Sequence, residues 1–388
     1  MGVGRAAVKS AIVVGLALTA AAARADVDAE PVHFGLEAHG FASQGFLVTT
    51  GNEYLVPDSK RGSFQLSEVG LNFSKTLTDN LHFGVQFFAK NFSAAGSYLP
   101  QVDWFYLDYR AKDWLGLRFG RLKIPFGLFN EVNDIDSARV PILLPQSFYP
   151  QQARSFLFAQ TGAELYGSLR ASAAGALEYR LYGGTIYIDP KLVVPVGSPI
   201  QLSFNVPYTF GGRLLWETPL GGLRFGASYL RLHLDSVAFI PGAEPIDIAN
   251  DSWLAAASVE YVVSIVSLTA EYGRGHTDQK SIAPGAQINT VSESAYIMAS
   301  CAPAAWFQPA VYYSLGFPDV SQRKGLSNKQ HDVSLTLRFD VNEHWLIKAE
   351  GHYMAGTTGL VNPLRLGPPP ADPARHWGVF LLKTTAFF

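Results

Sequence analysis

Hydrophobic and polar residues alternate with a period of two along most of this chain. Within 68–75, the apolar residues Val69, Leu71 and Phe73 occupy every second position, and 81–90 repeats the pattern. The same alternation recurs at 161–170, 177–185, 223–229, 253–261, 333–339 and 345–353. Since successive side chains of a strand point to opposite faces, the pattern predicts strands with one apolar and one mixed face.

We predict sixteen strands, at 34–48, 63–75, 81–91, 101–110, 115–124, 159–170, 176–187, 208–217, 222–232, 251–261, 266–273, 292–300, 306–315, 331–339, 344–353 and 376–388. Short links follow the even-numbered strands, and long links follow the odd-numbered ones. This asymmetry is typical of transmembrane barrels, which have short periplasmic turns and long extracellular loops. The sequence therefore predicts an all-β fold: a closed 16-stranded antiparallel transmembrane barrel with both chain ends on the periplasmic side.

A soluble barrel or sandwich is the alternative that alternation alone leaves open. The mixed faces carry charges on nearly every strand, including Asp108, Arg110, Glu164, Arg170, Glu178, Arg180, Arg213, Glu217, Lys348 and Glu350. A packed interior accepts buried ions only at great cost, whereas a water-filled lumen accepts them easily. The charges therefore favour a barrel whose apolar face meets lipid. Aromatic residues near strand ends, among them Trp104, Trp253, Trp306 and Trp377, predict interfacial girdles.

The first 25 residues differ from the remainder. Arg5 and Lys9 precede an apolar run at 11–23, and small residues flank Arg24 before Asp26. This order predicts a secretory signal peptide at 1–25 and an outer-membrane barrel at 26–388. A membrane anchor is the alternative, but the run is shorter than the roughly 20 residues that a spanning helix needs.

Composition excludes several classes of function. Only 16% of residues are charged and the net charge is −2, so no basic field favours nucleic acid. The single cysteine, Cys301, excludes an internal disulfide and a cysteine-rich metal site. Common phosphate-loop, serine-hydrolase and zinc-protease motifs are missing from the sequence. We therefore predict no cofactor, no metal and no enzymatic activity.

The third long link, 125–158, is the longest and carries four prolines. A link of this length is typically functional. It is similar to the inward-folded third loop of sixteen-stranded general porins, which narrows the lumen. That resemblance implies a constriction formed by charges of the link and cations of the wall. The candidate constriction residues are Arg110, Arg121, Lys123, Glu131, Asp134, Asp136, Arg139, Arg154, Arg170, Arg180 and Arg213.

The stretch from Gly120 to Glu131, GRLKIPFGLFNE, and the later segment PILLPQ at 141–146 carry a second likeness. They resemble the superfamily that includes the phosphate-selective porins O and P. In that resemblance Arg121 and Lys123 match the basic positions before the Pro-Phe-Gly turn. Strict alternation places both cations on the lipid-side face, unless a bulge at Gly120 changes the phase.

The last strand ends on Phe388, which resembles the signal that outer-membrane proteins present to the barrel assembly machinery. Together these resemblances imply an outer-membrane diffusion channel for small hydrophilic solutes, surrounded by lipid, with a mild anion preference and a homotrimeric assembly. The alternative is a non-conducting barrel that acts as a lipid-modifying enzyme or a surface-binding protein. Sixteen strands favour the channel, because barrels of roughly 16–18 strands leave an aqueous passage.

Overall fold

The computed structural model describes residues 35–56, 58–92, 98–151, 154–188, 200–281, 287–360 and 372–388. Within these ranges, sixteen strands form one closed antiparallel barrel in which each strand pairs with its sequence neighbours and β1 pairs with β16. The predicted strand count and fold class are confirmed. The predicted signal peptide, 1–25, lies outside the described residues.

The strands are β1 Leu36–Thr49, β2 Ser63–Thr78, β3 Leu81–Phe92, β4 Gln101–Lys112, β5 Leu115–Lys123, β6 Ala159–Ala171, β7 Gly175–Thr185, β8 Gln201–Glu217, β9 Leu223–Phe239, β10 Ile246–Val263, β11 Val266–Ser281, β12 Gln287–Cys301, β13 Phe307–Phe317, β14 Gln330–Asn342, β15 Trp345–Gly356 and β16 His376–Phe387. The links after even-numbered strands contain two to five residues. This end is the periplasmic one in barrels of this kind, and the opposite end is extracellular. No helix in the described ranges is long and apolar enough to cross a membrane.

The two faces of the barrel wall differ as the alternation predicts. Large apolar side chains are exposed on the outward face, including Leu71, Phe87, Leu107, Phe119, Leu181, Leu335 and Phe380. Charged side chains such as Asp108, Glu164 and Lys348 lie on the inward face, where they are buried. An apolar exterior and a polar interior suit a barrel with lipid outside and water within.

Strands β8 to β12 extend further at the extracellular end than the sequence pattern predicts. β9 continues to Phe239 rather than ending at residue 232, and β11 continues to Ser281. In the extension of β9 the polarity is inverted, because Leu234 is buried on the inward face while His233 and Asp235 face outward. Around residues 233–235, β9 thus has an apolar inner face and a polar outer one.

Two of the aromatic residues predicted for the girdles face the interior instead. Trp377 is buried and packs against Tyr54, with ring centroids 5.0 Å apart. Trp104 stacks on Tyr106, 5.6 Å away, on the inward face of β4. Each position lies near a strand end, but its phase directs the ring inward. Trp306, by contrast, is exposed as the girdle prediction requires.

The chain end closes the barrel at its periplasmic rim. The Phe388 amide donates a hydrogen bond to the Gly40 carbonyl (3.0 Å), and the Gly40 amide donates one to the Phe388 carbonyl (3.1 Å). The exposed Phe388 ring lies over Gly40, where a β-carbon would come within 2.7 Å of it. Glycine at this position therefore makes room for the terminal aromatic ring.

Candidate pore constriction

The third long link folds into the barrel in its described parts, 124–151 and 154–158, which we call the constriction loop. Its residues form hydrogen bonds and ion pairs with inward-facing side chains on several sides of the wall. Asn130 ties the two ends of the loop together, because its amide nitrogen donates to the carbonyls of Ile124 (2.9 Å) and Leu157 (2.8 Å). The predicted inward fold of this link is confirmed.

Glu131 binds two arginines of the facing wall. Its carboxylate accepts from Arg213 on β8 (2.8 Å) and pairs directly with Arg180 on β7. Burial alone would raise the pKa of Glu131, but the attraction of Arg180 and Arg213 outweighs it and lowers the pKa to about 2. The carboxylate is therefore ionised at any physiological pH.

The ion pairs continue along the wall as an alternating row. Arg180 also binds Glu164 on β6 (2.7 Å), and Arg118 on β5 bridges Glu164 (3.3 Å) and Asp108 on β4 (2.9 Å). The guanidinium of Arg118 lies 4.2 Å from the ring centroid of Tyr166. We call Asp108, Arg118, Glu164, Arg180, Glu131 and Arg213 the arginine row. Its three cations and three anions make it neutral in total.

Asp134 anchors the loop next to its own entry strand. Lys123 donates to the Asp134 carboxylate (2.8 Å) and to the Glu131 carbonyl (2.8 Å), and Gln86 on β3 donates to Asp134 (2.7 Å). The ammonium of Lys123 also lies 5.5 Å from the Trp104 ring centroid. The structure therefore brings Lys123 to the constriction loop.

Arg154, at the other end of the loop, binds Asp103 on β4 at 2.9 Å. Burial would lower the pKa of Arg154, but Asp103 outweighs that effect and raises it. Arg121 makes a different contact, since its Nε donates to the Asp103 carbonyl (2.8 Å) and its strand partner is the outward-facing Phe105. Among the described residues, Arg121 therefore forms no hydrogen bond or ion pair with the constriction loop.

Arg121 and Lys123 take different positions because one lies within β5 and the other at its end. Strand pairing runs through Gly120 without a register shift, so no bulge changes the phase of Arg121. Gly120 has a φ of +137°, and a β-carbon there would lie 2.3 Å from the Phe105 carbonyl oxygen. Lys123 is the last residue of β5, and its long side chain reaches inward from the strand end.

Asp136 anchors the loop on the opposite wall, where the first and last strands meet. Its carboxylate accepts from Lys348 on β15 (3.1 Å) and from Thr385 on β16 (2.7 Å), and it lies 3.4 Å from Lys383. Lys383 in turn binds Glu68 on β2 at 2.7 Å. Burial would raise the pKa of Asp136, but the cations Lys348, Lys383 and Arg139 hold it well below its usual range.

Arg139 stabilises the loop from within. Its guanidinium lies 3.6 Å from Asp136 and donates to the Pro141 carbonyl (2.7 Å). Arg338 on β14 donates to the carbonyls of Ser137 (2.7 Å) and Arg139 (3.2 Å). These bonds satisfy loop carbonyls that would otherwise be buried without partners.

Two wall carboxylates hold the loop through its backbone. Glu350 on β15 accepts from the amides of Ile142 (2.6 Å) and Leu143 (2.9 Å). Glu271 on β11 accepts from the Leu128 amide (3.0 Å) and from the Tyr296 hydroxyl (2.5 Å). A fixed loop conformation inside a water-filled barrel requires such partners for its buried amides.

Besides Arg121, two other predicted constriction residues are not brought to the loop. Arg110 pairs with Asp113 in the periplasmic turn after β4, at 3.4 Å, and its side chain is half exposed. Arg170 is exposed and lies one residue before the end of β6. Both face the lumen, but they lie at its periplasmic mouth, because they are too close to the short turns to reach the loop.

Several anchoring residues were outside the predicted site. Glu271, Lys348 and Glu350 belong to the inward face that alternation predicts, so their position could be foreseen but not their contact with the loop. Asp103 lies where the pairing of β3 with β4 shifts register, so the simple alternation fails there. Lys383 is on the inward face of β16, and no local pattern connects it to the loop.

The arginine row offers more positive than negative surface to the lumen. The side chain of Arg118 is 28% exposed and Glu131 is 22% exposed, whereas Glu164 is completely buried. Glu164, which neutralises Arg118 and Arg180, is thus hidden from the lumen behind their side chains. On the opposite wall Lys348, Lys383 and Asp136 are all buried. The accessible charge at the constriction therefore lies on the arginine row and on Lys123, whose side chain is 15% exposed.

Neither a protein-family model nor a characterised protein sequence matches the chain. Solved outer-membrane barrels do match its fold. The anion-selective porin of Comamonas acidovorans is 11% identical with a TM-score of 0.59, covering 91% of this chain and 99% of the porin. The outer-membrane channel DcaP of Acinetobacter baumannii is 11% identical with a TM-score of 0.56, over 91% and 97% of the two chains.

The trimer form of OmpT, an outer-membrane protein of Vibrio cholerae, is 12% identical with a TM-score of 0.53, over 91% and 99% of the two chains. At these identities the likeness concerns the fold alone. The fold is that of the sixteen-stranded porins. The narrower resemblance to the phosphate-selective porins stays a prediction.

Proposed function

We propose that this protein is an outer-membrane channel for passive diffusion of small hydrophilic solutes. The observation that carries the proposal is the charged constriction loop, held by ion pairs inside a closed barrel whose outward face is apolar. The apolar residues of the loop pack against the wall in clusters, and its charged residues pair with charged side chains of the wall. A loop fixed in this way inside the lumen narrows the passage. The fold likeness to an anion-selective porin and to an outer-membrane channel agrees with this function.

We further propose a mild preference for small anions, phosphate-like ones included, with neutral solutes also passing. The support is the greater exposure of Arg118 compared with the buried Glu164 that neutralises it. Charged groups at a constriction bias which ions pass, because the low-dielectric wall focuses their field. The candidate residues that act in this way are Arg180, Arg213 and Glu131, with Lys123, Asp134, Asp136, Arg139 and Arg154 fixing the loop.

A homotrimer is the assembly we propose, by analogy with the trimer form of the similar OmpT structure. The predicted recognition of Phe388 by the barrel assembly machinery belongs to the same proposal. It is supported by the exposed ring of Phe388 at the periplasmic rim.

Conductance across a planar lipid bilayer tests the function. The purified protein should form channels, and in a KCl gradient the zero-current potential should have the sign of an anion-preferring pore. Absence of channel events from correctly folded protein would favour the non-conducting alternative. A cation-preferring potential would retain the channel but contradict the role given to the arginine row.

A further inference from the structure

Two tyrosine–histidine pairs lie side by side on the outward face of β13 to β16, at the extracellular end. The Tyr313 hydroxyl and His331 Nδ1 are 2.8 Å apart, and the Tyr353 hydroxyl and His376 Nδ1 are 2.9 Å apart. We call these four residues the tyrosine–histidine patch. His331 and His376 flank Ala355 in one row of the sheet, so their backbones are about 10 Å apart.

The patch lies at the edge of the lipid-facing band. Directly toward the periplasm, Val333, Leu335 and Phe380 are each about half exposed on the outward face. The outward positions of these four strands carry no charged residue in the described ranges. The two histidines are therefore the groups of this wall that can gain a charge where the apolar surface ends.

Each imidazole presents one N–H group outward. When the phenol donates to Nδ1, the ring proton lies on Nε2, and when the ring is protonated Nε2 still carries its hydrogen. In the described part of the chain neither Nε2 atom has a hydrogen-bond partner. The nearest basic residues in the sequence, Lys329 and Arg375, precede the two histidines. Donors and positive charge at a lipid boundary suit an anionic headgroup oxygen.

We propose that the tyrosine–histidine patch binds phosphate groups of lipids in the outer leaflet of the membrane. The phenols hold the rings in place, and the Nε2–H groups donate to phosphate oxygens. Binding strengthens at acidic pH, because a protonated imidazole adds a charge to the same hydrogen bond. The titratable and charged neighbours of the two rings are Tyr313, Tyr353, Lys329 and Arg375.

The barrel contains a matched control. His233 also faces outward beside an aromatic ring, that of Tyr208 at 5.8 Å. Its two ring nitrogens already lie 3.0 Å from Asp235 and 3.2 Å from Asp251. No free donor is left on His233, and its acidic neighbours repel phosphate. Its replacement should leave lipid binding unchanged.

Histidine titration by NMR tests the proposal on the purified barrel in neutral detergent micelles. Doping the micelles with a lysophosphatidic acid should raise the titration midpoints of His331 and His376 by about one pH unit, the shift that accompanies tenfold tighter binding to the protonated form. Fatty acid at the same mole fraction should produce a much smaller rise. Free inorganic phosphate should also produce little, because it is not held at the interface.

Equal shifts with phosphate and carboxylate lipids would overturn the proposal, since they would reflect surface charge alone. Lipid retention, measured by native mass spectrometry, provides the second readout. H331A/H376A should lose at least tenfold in affinity for lysophosphatidic acid, whereas H331Q/H376Q should retain binding without its pH dependence. H233Q should match the parent protein. Retention by H331A/H376A equal to the parent's, in protein with normal heat-modifiable mobility, would refute the proposal.

Discussion

Removing two arginines from the arginine row should make the charge that solutes meet at the constriction negative. The variant R180A/R213A leaves Glu131 and Glu164 without these partners, and only Arg118 remains to balance them. The row changes from neutral to a net charge of −2. The loop itself should stay in place, because Asp136, Glu350 and Glu271 anchor it elsewhere.

Coulomb's law provides the size of the effect. A unit charge about 6 Å from a passing ion in water at 0.1 M salt contributes about 0.4 kcal/mol. Loss of both charges raises the energy of a passing anion by about 0.8 kcal/mol and lowers that of a passing cation by about 0.8 kcal/mol. The anion-to-cation permeability ratio should therefore fall about tenfold. At 1 M salt, where the Debye length is about 3 Å, the same change should be about twofold.

The assay is the zero-current potential in KCl gradients centred on low and on high salt. The control is R110A/R170A, which removes two lumen-facing cations that do not contact the loop. The zero-current potential of R110A/R170A should shift less than half as much as that of R180A/R213A, because water screens charges at a wide mouth. The single-channel conductance of R110A/R170A should stay within about twofold of the parent's. Equal shifts for the two double variants, or a shift of R180A/R213A that ignores salt, would refute this reasoning.

Three further expectations concern the loop and the barrel end. The pKa of Glu131 in the folded protein is about 2, below its ordinary 4.5, so the ion pairs of Glu131 are complete above about pH 4.5 and are lost as pH falls through about 2. Conductance should therefore be constant from pH 7 to 4.5 and change near pH 2, and an E131Q channel should lack that change. E350A leaves the amides of Ile142 and Leu143 without acceptors, which costs about 1–3 kcal/mol of stability for each amide, so the folded gel band should convert to the unfolded one at a lower temperature. E350Q should be intermediate, and identical conversion temperatures for the parent and both variants would contradict the role of Glu350 as an anchor. Deleting Phe388 should reduce the amount of folded barrel in outer membranes while F388Y assembles; normal assembly of the deletion would contradict the role of the terminal ring.

Strand number and phase could be predicted from the sequence because lipid and water impose opposite chemistry on alternate residues. Glu271 and Lys348 face inward as their positions in the alternation require. The alternation did not predict the part of β9 in which apolar residues face inward. Beyond the lipid, Leu234 faces inward and His233 outward, so β9 no longer has the polarity of a membrane strand and its extension was missed.

The partners of the loop charges could not be predicted in the same way. The contact of Asp136 with Thr385 joins residues 249 positions apart and depends on strands at opposite ends of the chain order. The general inward direction of the loop could be foreseen from its length and family resemblance. Which cation meets which acid depends on strand stagger and on side-chain reach, as the difference between Arg121 and Lys123 illustrates.

The position of Asp136 also orders the steps of folding. Thr385 and Lys383 belong to the last strand, and Lys383 reaches across β1 to Glu68 on β2, so the carboxylate rests on the seam where the two ends of the chain meet. The three partners of Asp136, which are Lys348, Lys383 and Thr385, lie on β15 and β16, so they come together only when the last two strands have paired. Docking of the middle of the loop must therefore wait until the last two strands are in place, although the loop precedes them in the chain by some two hundred residues.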